Sequence, residues 1–344
     1  MKKPSSTHLA IAGVVLAAAV VAVVTVPTRT TASSGTIATL ELTAIVRDFR
    51  AASERNGHPD FQAFAGRVHL GLVEPELGPE NKPVFRDSRG WELRDPWLDH
   101  RGLAVNPFVA VEGIADEDED EDGDEDGDED GEESAGLLDL DRLDAFSGTV
   151  GTLRTDASER LTSRERFDQW YRDVPGVNMS FAIPLVLEET EPGSGRFVYD
   201  SHGARSVELN PWMADLPISG FFPINGRGFG NFAGYDGGST NFHFTTEVVT
   251  TFTYRRGAGY VFGFSGDDDL WVFIGGRLVI DLGGVHPEAT QWIDLDTLDW
   301  LADGEEYSMH IFHAERRTVQ SNFRIETTIP LRPLGSVSTF DAFD

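Results

Sequence analysis

Cysteine is absent from the 344-residue sequence, and this absence excludes several kinds of chemistry. Without thiols the protein has no disulfide bond, no thiolate nucleophile and no cysteine-ligated zinc site. Its stability must therefore come from packing or from a bound metal. The length is sufficient for a full hydrophobic core in one or two domains.

Basic residues are in short supply. The chain has 28 Lys and Arg against 58 Asp and Glu, and 15 of the acidic residues fall within 116–133. The 43 acidic residues outside that run still outnumber the bases, and no basic patch is visible. The net negative charge of the protein repels the negatively charged phosphate backbone of nucleic acids, so we expect no nucleic-acid partner. Divalent cations and neutral ligands suit this composition better.

Three common catalytic signatures are also missing: the sequence has no Gly-x-Ser-x-Gly elbow, no His-Glu-x-x-His helix and no phosphate-binding loop. Two carboxylates can hydrolyse a glycosidic bond, but they must lie about 5–10 Å apart in different protonation states. Adjacent Asp residues on a turn rarely meet that requirement. We therefore expect a protein that is not an enzyme.

A long uncharged run, residues 9–26, stands near the N-terminus behind Lys2 and Lys3 and is followed by Thr30-Thr31-Ala32. A basic start, an apolar run and small residues are typical of an export signal, which predicts residues 1–32 as a signal peptide. The run is also about as long as a minimal membrane span, so an uncleaved N-terminal anchor is the alternative. Either way we expect an extracellular, secreted or cell-surface protein.

The acidic segment 115–136 divides the remaining chain. Such a block repels itself and cannot bury a core, so it predicts a disordered low-complexity insertion between residues 33–114 and 137–330. Residues 331–344 are predicted to form a C-terminal tail. One short helix is predicted near 158–170, where Leu161, Phe167 and Trp170 fall close to one face.

Most of the rest predicts β-strands. Short segments rich in β-branched and aromatic residues alternate with turn residues, and Gly275-Gly276 predicts a two-residue hairpin turn. This density of strands indicates an antiparallel sandwich or barrel. The predicted strands are 181–187, 195–199, 242–254, 259–264, 270–274, 278–282, 307–314 and 322–329.

Three adjacent carboxylates, Asp267, Asp268 and Asp269, precede the apolar strand that contains Trp271. They repel one another, so they stay ionised only with solvent, several hydrogen-bond donors or a bound cation. Calcium takes six to eight oxygen ligands and suits clustered Asp residues. A calcium site is one interpretation and a solvated acidic turn is the other.

Several motifs in this order and spacing resemble the fibro-slime domain of secreted and surface proteins. The resemblance is strongest over 240–330. It rests on Phe221-Phe222-Pro223-Ile224, the Asn241–Glu247 segment, Gly266-Asp267-Asp268-Asp269-Leu270-Trp271, Asp281-Leu282-Gly283-Gly284-Val285-His286, Phe312-His313-Ala314-Glu315-Arg316 and Ser321-Asn322-Phe323. Arg47-Asp48-Phe49 and His58-Pro59-Asp60-Phe61 resemble its upstream portion.

That domain is in turn similar to the β-sandwich of the anthrax protective antigen and of flocculin-type adhesins. The resemblance implies an all-β fold of this type with short helices, in which two consecutive Asp, joined by a cis peptide, hold a calcium ion that contacts sugar hydroxyls. The implied pair is Asp267-Asp268, with Asp269 as an alternative member.

Further candidates complete the predicted site. Asn322 and Asp281 are candidate calcium ligands, with a turn residue and a turn cap as their respective alternatives. Trp271 is a candidate for stacking on a sugar ring if its sheet face is solvated. Glu315 and Arg316 are expected to form a structural ion pair beside the site.

The sequence thus predicts a calcium-dependent carbohydrate-binding or adhesion module whose partner is an extracellular glycan, with matrix proteins as further possible partners and the membrane reached only through an uncleaved N-terminal segment. A structural matrix protein that uses calcium for stability is the second hypothesis. A glycan-active or glycosidase-associated protein is the third.

Overall fold

β-Strands dominate the part of the chain that the computed structural model describes, residues 36–111 and 147–333. The predicted signal segment 1–32, the acidic insertion 115–136 and nearly all of the tail 331–344 lie outside the described residues. The strands are β1 Thr39–Asp48, β2 His69–Leu70, β3 Trp91–Asp95, β4 Trp97–Leu98, β5 Ala104–Val105, β6 Thr152–Arg154, β7 Met179–Glu189, β8 Phe197–Asp200, β9 Phe244–Thr253, β10 Val261–Gly266, β11 Asp269–Ile274, β12 Arg277–Leu282, β13 Ala289–Asp294, β14 Glu306–Glu315, β15 Phe323–Thr327 and β16 Arg332–Pro333.

In these described ranges three short α-helices accompany the strands: α1 Pro107–Val111, α2 Arg164–Phe167 and α3 Ala204–Leu209. Helix α2 is shorter than the predicted 158–170 because its N-cap is Ser163, whose hydroxyl accepts from the Arg166 amide. The apolar face itself is confirmed, since Leu161, Phe167 and Trp170 are buried. No helix among the described residues is long and apolar enough to cross a membrane.

The main sheet contains the described strands in the order β12-β11-β14-β9-β1-β7-β8-β15-β10-β13-β5-β4, with β16 beside β9. Its pairings are antiparallel except that of β13 with β5. The sheet folds over, so that β12 meets β13: the Gln291 side chain accepts from the backbone nitrogen of Asp281 and donates to its oxygen, both at 3.0 Å. The predicted all-β sandwich is confirmed.

The turn chemistry agrees with the sequence. Ile274 pairs with Arg277, so Gly275 and Gly276 form a two-residue hairpin loop with φ of +59° and +88°. A side chain at either position would be strained in this left-handed region, which explains the two glycines. In β9 the buried positions Val248, Thr250 and Phe252 alternate with half-buried ones, as the period-2 pattern predicts.

Strand β11 is buried on both faces. Leu270, Val272 and Ile274 point into the main core, whereas Trp271 and Phe273 belong to a second core. That second core is covered by aromatic side chains from the amino-terminal segment and from α2 and the turn that follows it; they include Phe49, Phe61, Phe167, Trp170 and Tyr171. The segments around Phe49 and Phe61, which resemble the upstream portion of the family, therefore help to cover the central hairpin.

Candidate functional site

The connection from β10 to β11 carries the three adjacent carboxylates. Strand β10 ends at Gly266 and β11 begins at Asp269, so Asp267 and Asp268 occupy the link itself. The peptide bond between them is cis, the configuration that the family resemblance implies. Both side chains are only 4% exposed. The link is therefore a buried feature of the fold and not a solvated acidic turn.

Asp267 is held by Asn322, which precedes β15. The Asn322 backbone amide donates to its Oδ1, and the Asn322 side chain donates from Nδ2 to Oδ2 at 2.8 Å. His313 binds the Asp267 carbonyl oxygen through Nε2 at 2.9 Å. Burial raises the pKa of the Asp267 carboxyl, and the hydrogen bonds from Asn322 oppose that rise.

Asp268 accepts only backbone donors: the His286 amide at 3.2 Å on Oδ1 and the Arg316 amide at 3.1 Å on Oδ2. Burial raises its pKa well above the usual value; the charge of Arg316 acts against this, while Asp267 and Asp269 add to it. No cationic side chain donates to this carboxylate among the described residues.

Asp269 has a different environment. Its Oδ1 accepts from the Gly284 amide and its Oδ2 from the Arg316 guanidinium, both at 2.6 Å. The side chains of Asp269 and Arg316 are fully buried. Asp269 is thus neutralised by Arg316 inside the protein. The predicted Glu315–Arg316 ion pair is wrong, because Arg316 is committed to Asp269.

Asp281 lies apart from the Asp267–Asp268 pair. Its carboxylate accepts from the Gly71 amide at 2.7 Å and from the Trp271 indole at 3.1 Å, and it lines a different cavity. The structure therefore does not bring Asp281 to the predicted calcium site. It also does not cap the Gly283-Gly284 turn, since Asp269 binds the Gly284 amide.

Trp271 is fully buried. The alternation that placed it opposite Leu270 and Val272 was correct, but the sheet face that it occupies is covered by the second core and is not solvated. Trp170 lies 6.3 Å from it, between ring centroids, and Phe167 lies 5.7 Å away. The prediction that Trp271 stacks on a sugar is therefore wrong.

Glu315 is the residue that the site prediction missed. It is fully buried at the end of β14; its Oε1 accepts from the Arg317 amide at 3.3 Å, and its Oε2 has no hydrogen-bond partner. Burial raises its pKa well above the usual value, and Asp268 and Asp267 raise it further. The only sequence signal was its place in the Phe-His-Ala-Glu-Arg motif. We call Asp267, Asp268 and Glu315 the acidic site.

A surface cavity of about 280 Å³ opens beside the acidic site. Its lining includes both Asp267 and Asp268, the ridge formed by His286 and Pro287, and the loop after β14 from Arg317 to Gln320. Within that loop Val319 is 54% exposed. A ligand that enters this cavity therefore reaches the Asp pair from solvent.

The donors at the acidic site are oxygen atoms, the type that calcium and magnesium prefer. Among the described residues, no group of three or more His, Asp or Glu side chains is arranged to hold a metal ion. Two carboxylates and one amide therefore form the candidate set, completed by main-chain carbonyls or water. The Asn322 amide oxygen faces the His202 Nε2 at 2.6 Å, so it must turn toward Asp267 to serve as a ligand.

Residues 235–335 match the PA14 domain, and the described residues form a mostly β structure that is consistent with the all-β sandwich of that type. The matched range includes β10 to β15 and all three residues of the acidic site.

The chain is 34% identical to protein psiQ of Dictyostelium discoideum over 194 residues, which cover 54% of this chain and 18% of psiQ. It is 45% identical to protein psiB of the same organism over 162 residues, covering 45% of this chain and 25% of psiB. The chain thus spans less than a third of the length of these relatives. The crystal structure of the PA14 domain of the MpAFP antifreeze protein aligns with 29% of this chain and 48% of that one, at 12% identity and a TM-score of 0.20.

Proposed function

We propose that this protein is a non-catalytic, calcium-dependent carbohydrate-binding module of the fibro-slime type, secreted or displayed at the cell surface. The single observation that carries the proposal is the acidic site: three buried carboxylates lie near one another, and within residues 36–111 and 147–333 no cationic side chain donates to any of them. A bound divalent cation is the simplest way to keep such carboxylates ionised.

Calcium suits the donor set. Asp267 and Asp268 would hold the ion, with the Asn322 amide oxygen after it turns from His202, and calcium accepts such mixed carboxylate, amide and water coordination. The ion would supply positive charge to the Asp pair and open positions to hydroxyl oxygens. Asp269 takes no part, because its two oxygens serve Gly284 and Arg316.

The cavity supports a ligand at the same place. It is open to solvent, it reaches Asp267 and Asp268, and its other walls include His286, Pro287 and the loop after β14. PA14 domains commonly bind carbohydrate, which favours a glycan as the occupant. The export signal predicted for residues 1–32 favours a partner outside the cytoplasm.

The test is calcium titration calorimetry on the full chain and on Asp268→Asn, in parallel. Both proteins carry the acidic segment 116–133, so the difference between them isolates the folded site from nonspecific cation binding. We expect one saturable site that is present in the parent protein and absent in the variant. A glycan array with calcium or with EGTA then tests carbohydrate binding, and equal signals in both conditions would refute the calcium dependence.

One observation favours a second function. Asp267 and Asp268 are each only 4% exposed, which leaves little metal surface for a sugar. In that case calcium would only stabilise a structural matrix protein. A large calcium-dependent rise in melting temperature without glycan binding would select this second function over the first.

A further inference from the structure

A second cavity, of about 370 Å³, lies at the edge of the main sheet. It is enclosed by strand β12, by the segment 71–76 that runs beside that strand, and by the start of α1. The Leu278 amide donates to the Pro75 oxygen at 2.8 Å and holds the segment against the strand. This cavity shares no lining residue with the cavity at the acidic site.

Asp281, 1% exposed, is the buried charged group of this cavity. The Gln291 side chain fixes its backbone, and the Gly71 amide and the Trp271 indole each donate to one of its carboxylate oxygens. Each oxygen of a carboxylate accepts more than one hydrogen bond, so Asp281 retains acceptor capacity toward a ligand. Burial raises its pKa to about 7, so near neutral pH it both accepts and donates, as a hydroxyl partner requires.

The walls mix charges of both signs with one aromatic ring. Arg86 and Arg277 supply guanidinium groups, Glu76 and Asp299 supply carboxylates, and Phe108 supplies an apolar surface. Arg277 is positioned by the Trp300 ring, whose centroid lies 5.0 Å from the guanidinium carbon. A strongly charged ligand would meet like charge on one of these walls, whereas a neutral ligand with several hydroxyl groups would find donors and acceptors together.

We propose that this cavity is a second ligand site, which takes a neutral hydroxylated molecule of monosaccharide to disaccharide size without a metal. The volume lies at the lower end of the ~300–1,000 Å³ that is typical of small-ligand pockets. Carboxylate and guanidinium groups bind the hydroxyls, and the Phe108 ring contacts the C–H face. The site is independent of the calcium-dependent function proposed above.

The experiment is saturation-transfer NMR with titration calorimetry on the full chain in EGTA, where the acidic site cannot contribute. The probes are the methyl glycosides of glucose, galactose and mannose, the disaccharide cellobiose, and sorbitol. We expect at least one probe to bind, with affinity reduced at least about tenfold in Arg277→Ala because a charged donor is lost. Arg277 is exposed, so this variant should fold.

Two controls separate this site from the rest of the molecule. Arg205→Ala removes an exposed guanidinium from α3, away from the cavity, and Asp268→Asn alters the acidic site. Both variants should bind the probes as the parent protein does. Asp281→Asn should lose binding, and its far-ultraviolet circular dichroism shows whether the fold persists.

The proposal would be overturned if no probe bound at high millimolar concentration or if Arg277→Ala bound the probes as well as the parent protein. These outcomes leave the calcium-dependent function untouched, because that function is measured with calcium and is lost in Asp268→Asn.

Discussion

Two regions of this protein that bury carboxylates differ in whether cationic side chains pair with them. In the first, Glu247 of β9 binds both Arg47 and Lys82, and Arg47 also binds Asp173 at 2.8 Å. We call these four residues the balanced network. In the second, the acidic site, three carboxylates receive hydrogen bonds from backbone amides and from Asn322, and no cationic side chain in the described part of the chain donates to them.

This difference indicates that the lack of cationic partners is specific to the acidic site. A fold that pairs Glu247 with two cations can evidently supply cations to buried acids, and it also supplies Arg316 to Asp269 next to the acidic site. The unpaired carboxylates are therefore a local feature of the Asp267–Asp268 link and Glu315. The acidic site lacks a cationic partner among the described residues, and a bound calcium ion would supply the positive charge. The proposed calcium site rests on this argument.

The largest expected effect comes from breaking the balanced network. Glu247→Ala leaves Arg47 and Lys82 without their shared partner in a buried position, so we expect a loss of about 5 kcal/mol in the free energy of unfolding. Denaturant titration measures it. Glu306→Ala, which removes an exposed pair with Arg332, should cost less than about 1 kcal/mol. Equal losses would refute the distinction between buried and exposed pairs.

Asp48 is a buried acid beside the balanced network whose hydrogen-bond donors are neutral. It allows the pH dependence of stability to be predicted for such an acid. Phe229 and Asn241 donate to it, and burial raises its pKa to about 7 from 3.8. Because the folded pKa is the higher one, the folded state binds the extra proton between pH 4 and 7, and stability falls as the pH rises through that window. We expect the resulting loss in the free energy of unfolding to reach about 4 kcal/mol above pH 7.

The measurement is denaturant unfolding of the parent protein and of Asp48→Asn from pH 4 to pH 8. Buried histidines such as His69 and His243, whose pKa burial lowers to about 4, act in the opposite direction but equally in both proteins. As the pH rises from 4 to 8, the parent protein should therefore lose stability relative to Asp48→Asn. A difference that stays constant with pH would contradict the prediction.

Calcium should separate the two regions directly. At a calcium concentration about 100 times the dissociation constant, binding to the folded state should add about 2.7 kcal/mol to the free energy of unfolding. We expect this gain in the parent protein and in Glu306→Ala, and its loss in Asp268→Asn. Thermal unfolding with calcium and with EGTA measures it. A full gain in Asp268→Asn would place the calcium outside the acidic site.

The smallest expected effect comes from comparing two buried glutamates: Glu315, which has no ion pair within the described residues, and Glu326, which forms ion pairs with two arginines. Glu315→Gln replaces the unpartnered Oε2 by an amide that can donate to the neighbouring carboxylates, so it should stabilise the calcium-free protein by about 1 kcal/mol. Glu326→Gln weakens the ion pairs with Arg196 and Arg324 and should destabilise. Denaturant unfolding in EGTA compares the two variants. Destabilisation by both would mean that the acidic site is already neutralised.

Strands β7 to β12, β14 and β15 were predictable because their signal is local. The β-branched and aromatic alternation of 244–253, 261–266 and 306–315 appears in the sequence itself, and the Gly275-Gly276 turn needs only two residues to specify it. Helix α2 was predicted too long, since the apolar spacing of Leu161, Phe167 and Trp170 continues beyond the residues that are helical.

The composition of the site was only partly predictable. Asp267, Asp268 and Asn322 were recognised, and the structure brings them together. Asp269, Asp281 and Trp271 were also predicted at the site, but the fold gives them other partners. Glu315 reaches the Asp pair across the sheet from β14, a contact between residues 47 positions apart that no local pattern encodes.

By itself, the sequence determined the strands β7 to β12, β14 and β15, the tight hairpin and the concentration of carboxylates at the β10–β11 link, because these depend on side-chain periodicity and backbone preference within a few residues. The tertiary structure decided which carboxylate meets a cation. Arg316 neutralises Asp269, Trp170 and its neighbours cover Trp271, and Glu315 joins Asp267 and Asp268, because contacts between distant segments set burial, and burial sets the energetic cost of each charge.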